Sequence, residues 1–174
     1  MPLFWEDVAV GQEVPPLVKR PNLVQMVRWA GASENLHPVH YDPAVARAAG
    51  VPDVLVHGRL KAAFLAEMLT RWMGEGGTLR KLQVRFLGMD FPGEDLVCKG
   101  RVTAKPVTQS GPVVECEVWL ENPRGEVTVR GQAVLGLPGG RGSPEGVPPS
   151  GRGLGVSPSY LFPSPLPEGE GARG

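Results

Sequence analysis

The sequence predicts an α+β domain in which an antiparallel sheet wraps one long central helix. Two observations carry that prediction. One is a single strongly apolar helical stretch, "HGRLKAAFLAEMLTRWMGEGG", in which Leu60, Phe64, Met68 and Trp72 recur at i+4 with Ala63 and Leu69 beside them. Its ends are set by Gly58 and by the "GEGG" stop. The other is the change of period that follows. "LRKLQVRFLG" puts Leu82, Val84 and Phe86 on one face, and "DLVCKGRVTAK", "PVVECEVWLEN" and "EVTVRGQAVLGL" alternate in the same way. One helix followed by four or five strands is the pattern of a helical layer laid on one face of an antiparallel sheet.

The elements before the central helix follow from local signals. "GQEVPPLVKRP" reads as an extended segment, and its prolines place it at a sheet edge. "NLVQMVRWAGA" is a short helix with Asn22 at the cap and Gln25 three residues on. In "DPAVARAAG" Asp42 caps a second short helix, Pro43 suits its first turn and Gly50 ends it. The last two strands are joined by a turn over Asn122–Gly125, making a hairpin. A sheet of this size with one helical layer is expected to pair with a second copy.

Composition narrows the possible functions. Lys and Arg balance Asp and Glu at 18 each, so no global field draws in nucleic acid or an anionic membrane. No run approaches the ~18 apolar residues of a membrane span, and "MPLFWEDVAVGQEV" lacks the layout of a secretory signal. Cys98 and Cys116 both fall in strand-like runs and make no disulfide framework, which suits a reduced cytoplasm. Residues 1–137 are therefore expected to form the domain. About half of residues 138–174 are Gly or Pro, too little apolar matter to offset ordering entropy, so this tail is expected to be disordered.

The stretch "ASENLHPVHYDP" holds two of the chain's three histidines, His37 and His40, in a segment too polar for a buried helix and too rich in proline for a central strand. The third, His57, directly precedes Gly58 at the start of the long helix. Each has a bland reading: a loop hydrogen bond for His40, solvent for His37, packing or capping for His57, a turn brace for Asn35. Arg59 and Lys61 read by default as solvated charge, with a phosphate contact as the alternative. A zinc site of three histidines is disfavoured by Pro38 between the first pair and by the lack of an "HExxH". No dinucleotide fingerprint, P-loop or nucleophile elbow is present in the sequence.

The combination of "HPVHYDPAVARAAG" with a downstream "HG" that opens a helix resembles the MaoC-like dehydratases, or (R)-specific enoyl-CoA hydratases. The resemblance covers about residues 4–137 and extends to "FWEDVAVGQEV", "VLVHGRLKAAFLAEML" and "VRFLGMDFPGEDLVCKGRVT". It implies the hot-dog fold. The family's motif runs roughly Gly-Asp-x-Asn-Pro-hydrophobic-His. Here Glu34 stands in the place of the Gly, Asn35 of the catalytic Asp and His37 of the Asn, while Pro38, Val39 and His40 match. Asn35, His37, His40, Tyr41 and Asp42 also fit the Asn-x-His-x-x-His-Tyr-Asp pattern of the related mesaconyl-CoA hydratases and mitochondrial 3-hydroxyacyl thioester dehydratases.

The resemblance implies hydration of a 2-enoyl-CoA or dehydration of a 3-hydroxyacyl thioester, with no metal or redox cofactor. His40 would be the base, because an imidazole near neutral pKa can take a proton from water. Asn35 would hold that water through its amide without accepting a proton. The N–H of Gly58 would stabilise the thioester oxyanion at a helix start, with His57 and His37 beside the substrate. The implied partners are an acyl-CoA substrate and a second copy of the chain, or a homologous subunit that carries the complete Asp/His pair. Two other functions share the fold: a non-catalytic acyl-CoA-binding subunit, favoured by Asn35, and a thioesterase.

Overall fold

A computed structural model of the chain describes residues 3–140. The tail expected from residue 138 onward falls outside the described residues from 141 on. Strand β1 (Glu13–Lys19) is followed by helix α1 (Leu23–Ser33), a 3-10 turn (Pro38–His40), helix α2 (Pro43–Ala48) and the long helix α3 (Gly58–Met73). Strands β2 (Thr78–Phe86), β3 (Leu96–Ala104), β4 (Val107–Thr108), β5 (Gly111–Glu121) and β6 (Val127–Gly136) complete the domain. The main sheet runs β1-β3-β5-β6-β2, antiparallel throughout, and the short β4 pairs with β5.

β1 lies at the edge that its prolines predict, and the register slips between Val14 and Leu17, where Pro15 and Pro16 cannot donate to β3. The caps also form as read. Asn22 Oδ1 accepts from the Gln25 N–H at 2.9 Å, and Asp42 Oδ1 accepts from Ala44 N–H at 2.8 Å. In the β5–β6 hairpin, Gly125 takes a positive φ of 76° and donates its N–H to the Asn122 carbonyl at 3.0 Å.

Helix α3 lies across the sheet and buries a broader stripe than the i+4 row suggests. Leu65 and Met73 are buried with Leu60, Phe64, Met68 and Leu69, whereas Trp72 is only half-buried. Val14 of β1, Leu96, Cys98 and Val102 of β3, Val114, Cys116, Val118 and Leu120 of β5, and Val129, Ala133 and Leu135 of β6 face it. Each fully buried side chain of this size contributes about 1.5–3 kcal/mol, so the helix–sheet seam is the dominant source of stability. Cys98 and Cys116 are free thiols inside that seam, where burial pushes both up to about 12 and keeps them unreactive.

Two expectations are corrected. Lys61 is not solvated. It is 2 % exposed and ion-paired with Asp90, because position 61 lies on the buried stripe four residues before Leu65. Phe86 shares a face with Leu82 and Val84 but is half-exposed. It lies over the very first residue of α3, where the covering helix has only begun. A side chain at Gly58 would come within 3.2 Å of the Phe86 ring, so glycine suits this close approach.

Helix α1 ends on Glu34, which adopts a left-handed conformation with φ 57° and ψ 18°. Glycine reaches this conformation freely, whereas a side chain makes it costly by about 1–2 kcal/mol. Part of that cost returns as the extra unfolded-state freedom of a glycine. Glu34→Gly is therefore expected to stabilise the domain by about 1 kcal/mol in urea unfolding. An unchanged or lowered midpoint would contradict the strain assigned to this cap.

Candidate active site

Three segments converge at the start of α3: the Asn35–His40 loop, the extended run Val54–Val56, and the end of β2. The loop is rigid for local reasons. His37 Nδ1 accepts from the Val39 N–H at 3.2 Å and so caps the 3-10 turn. Tyr41 donates its hydroxyl to the Leu36 carbonyl at 2.8 Å, closing the loop over itself. Across the gap, the Leu55 N–H donates to the Val39 carbonyl at 3.0 Å.

That contact places His40 beside Leu55. His40 Nδ1 lies 2.7 Å from the Leu55 carbonyl oxygen. A carbonyl only accepts, so Nδ1 carries the proton and Nε2 of the neutral ring keeps its lone pair. The His40 ring stacks on His57, with centroids 3.7 Å apart and planes 20° from parallel. His57 immediately precedes Gly58, so the stack delivers His40 to the helix start, where unpaired amides and the helix dipole favour negative charge.

His57 itself is fully buried, and its Nε2 lies 3.4 Å from the Asn35 carbonyl oxygen. By the same logic Nε2–H is the donor, a weak one at that distance. Its Nδ1 is buried with no partner among the described residues. Burial pushes the His57 pKa below the ordinary imidazole value, His40 pushes it the same way, and the Asn35 carbonyl partly offsets both. Two imidazolium rings at this separation would repel by roughly 4 kcal/mol at an effective dielectric constant of 20. A charge on His40 therefore disfavours protonation of His57.

The structure thus brings His40, His57 and Gly58 together and sets Asn35 against them through its backbone. It holds His37 apart: that ring is exposed, edge-on to His40, with centroids 6.4 Å apart. What a substrate can reach of His57 is its backbone side, since the ring lies behind His40. Among the described residues no three His, Cys, Asp or Glu side chains are grouped to hold a metal ion, and no helix is long and apolar enough to cross a membrane. Two contributors were not legible in the sequence. The Leu55 carbonyl sets the His40 tautomer but carries no side-chain signal. Phe86 forms a wall over Gly58, and its alternation in β2 marked only a core face.

The MaoC-like domain matches residues 9–121, well over half of the chain. The chain belongs to the MaoC-like family. It is 28% identical to the (R)-specific enoyl-CoA hydratase of Aeromonas caviae over 134 residues, which cover 76% of this chain and 98% of that protein. The solved structure of an (R)-hydratase from A. caviae superimposes with a TM-score of 0.70 at 28% identity, covering 76% of this chain and 99% of that one. The ChsH1–ChsH2 complex of Mycobacterium tuberculosis shares the fold, with a TM-score of 0.66 at 22% identity, over 74% of this chain and 98% of the matched one. As a MaoC-like domain the chain has the hot-dog fold, with α3 as the element its sheet wraps.

The lowered His57 value has a consequence for stability. In the unfolded chain His57 binds its proton near pH 6.5, whereas the folded ring resists until lower pH. The stability held by the neutral ring is thus complete above about pH 6.5 and is lost as pH falls through the lowered folded value. The thermal midpoint of the wild type is expected to fall more steeply between pH 7 and pH 5 than that of His57→Phe, which keeps a flat ring without a titrating group. A His57 C–H resonance that titrates at or above the ordinary value would overturn this expectation.

Proposed function

We propose that this protein is a hydratase/dehydratase that interconverts 2-enoyl and 3-hydroxyacyl thioesters, with an acyl-CoA as substrate. The observation that carries the reading is the His40 ring, fixed with its Nε2 lone pair available, stacked on the residue before Gly58. The similarity to an enoyl-CoA hydratase over nearly the whole of that protein supports the same reaction class.

In the hydration direction His40 Nε2 takes a proton from water as the water oxygen bonds to the β-carbon. The π pair moves toward the thioester oxygen, whose growing charge is met by the N–H of Gly58. His40 then returns its proton to the α-carbon, so the net change is addition of one water and the base is regenerated. The Asn35 amide orients that water. A carboxylate at this position would share the proton transfer, and loss of one such group typically costs ~10²–10⁴-fold in rate. Activity resting on His40 alone would accordingly be slow but real. The reading includes a pair of chains as the working unit: β2 is an open sheet edge, and the half-exposed Phe86 and Leu87 lie at its end. It involves no metal or redox group, and it places the protein in the cytoplasm.

One observation favours a second reading. With Asn35 in the place of the family's aspartate, the chain would serve as an acyl-CoA-binding subunit beside a homologue that carries both catalytic groups. Such a subunit would hydrate crotonyl-CoA only after mixing with its partner.

Hydration of crotonyl-CoA by the isolated protein, followed by loss of enoyl absorbance, separates the two readings. His40→Ala is expected to lower kcat by ~10²–10⁴-fold, and Asn35→Asp to preserve or raise it. Full activity in His40→Ala removes the mechanism. Release of free CoA thiol instead of hydration would point to thioester cleavage.

A further inference from the structure

Away from the histidines, the described residues contain a buried charged cluster that the mechanism does not use. Lys61 Nζ lies 2.8 Å from Asp90 Oδ2 and donates to the Gly88 carbonyl at 2.8 Å, with the two side chains 3 % and 0 % exposed. Thr128 on β6 donates its hydroxyl to the same Asp90 oxygen at 2.6 Å. The Thr128 carbonyl accepts the N–H groups of Leu87 and Gly88, tying this loop to the sheet.

Stability alone does not explain the cluster. Burying two charges is expensive, and replacing such a pair with apolar side chains of similar volume is often neutral or stabilising. Here Asp90 Oδ1 also finds no hydrogen-bond partner among the described residues, a further cost. What the cluster does achieve is geometric. Asp90 grips both arms of the turn that opens α3. Its carbonyl accepts the Val56 N–H at 2.9 Å, just before His57, and its carboxylate holds Lys61, three residues past Gly58. The neighbouring residue in the extended run, Leu55, points the opposite way and holds Val39 and the His40 ring. The Asp90 contact and the contact that orients His40 are therefore made by the N–H and C=O of one peptide group, that joining Leu55 to Val56.

We propose that Asp90, locked by Lys61 and Thr128, is a positioning residue that sets the angle between the start of α3 and the His40 ring. The pair touches no reacting atom. It acts through Val56 and Leu55, and its catalytic consequence rests on the hydratase reading, whereas its mechanical consequence does not.

The test replaces the pair with apolar groups of similar size in the full chain, Lys61→Met/Asp90→Leu, and keeps Thr128→Val as a gentler second variant. The double variant is expected to keep its circular dichroism and to melt close to the wild type. Its kcat on crotonyl-CoA should fall at least ~10-fold with KM within about twofold, since small misplacements of reacting groups act on turnover. Amide exchange at Val56, His57 and Gly58 should quicken at least ~10-fold while β5 amides keep their protection. A folded double variant with wild-type kcat and wild-type exchange at these three amides overturns the proposal. If the wild type does not turn over enoyl-CoA, the functional reading fails and exchange alone decides this one. If the double variant does not fold, Thr128→Val decides: roughly threefold faster exchange at Val56 supports the clamp, and no change refutes it.

Discussion

Burial of one helix against one sheet governs the whole domain. The sixteen residues of α3 can hide Leu60, Phe64, Leu65, Met68, Leu69 and Met73 only by lying across the concave face of β1, β3, β5 and β6. Once the helix is seated, its N-terminus can emerge at one place only, beside the end of β2. The chain then uses that fixed point: the free amides of the first turn, the closeness allowed by Gly58 and the wall supplied by Phe86 all meet there. Packing thus decides where chemistry is possible before any polar residue is chosen.

The polar layer built on that point works by restriction. The 3-10 turn after Pro38 has its own cap in His37, so the loop arrives preformed. The Leu55 carbonyl then allows one tautomer of His40, and stacking on His57 allows one ring plane. Burial and the neighbouring His40 ring both lower the His57 pKa, which favours its neutral form. The orientation of His40 is owed to the Leu55 carbonyl and the His57 ring.

Behind this layer sits the buried Lys61–Asp90 pair, which links α3, β6 and the loop before β3 to the run that carries Leu55. Replacing ion pairs of this kind with apolar groups is often neutral or stabilising, whereas removing one partner alone is strongly destabilising. The arrangement also accounts for the break in the apolar stripe at position 61.

Much of the molecule could be read from local order alone. Period 3.6 in residues 58–73, period 2 in the later strands, caps at Asn22 and Asp42 and the Asn122–Gly125 turn each depend on neighbours close in sequence, and each formed as read. The histidines of the loop and of the helix start were equally visible as candidates, because "HPVHYDP" and "HG" are local strings. The tertiary structure alone decided that His40 and His57 stack, that a backbone carbonyl fixes the tautomer, that His37 stands aside, and that Lys61 goes inward to Asp90. Each of these joins residues fifteen or more positions apart or turns on side-chain direction. Local propensity carries no information about which distant groups a packed helix will bring within hydrogen-bonding range.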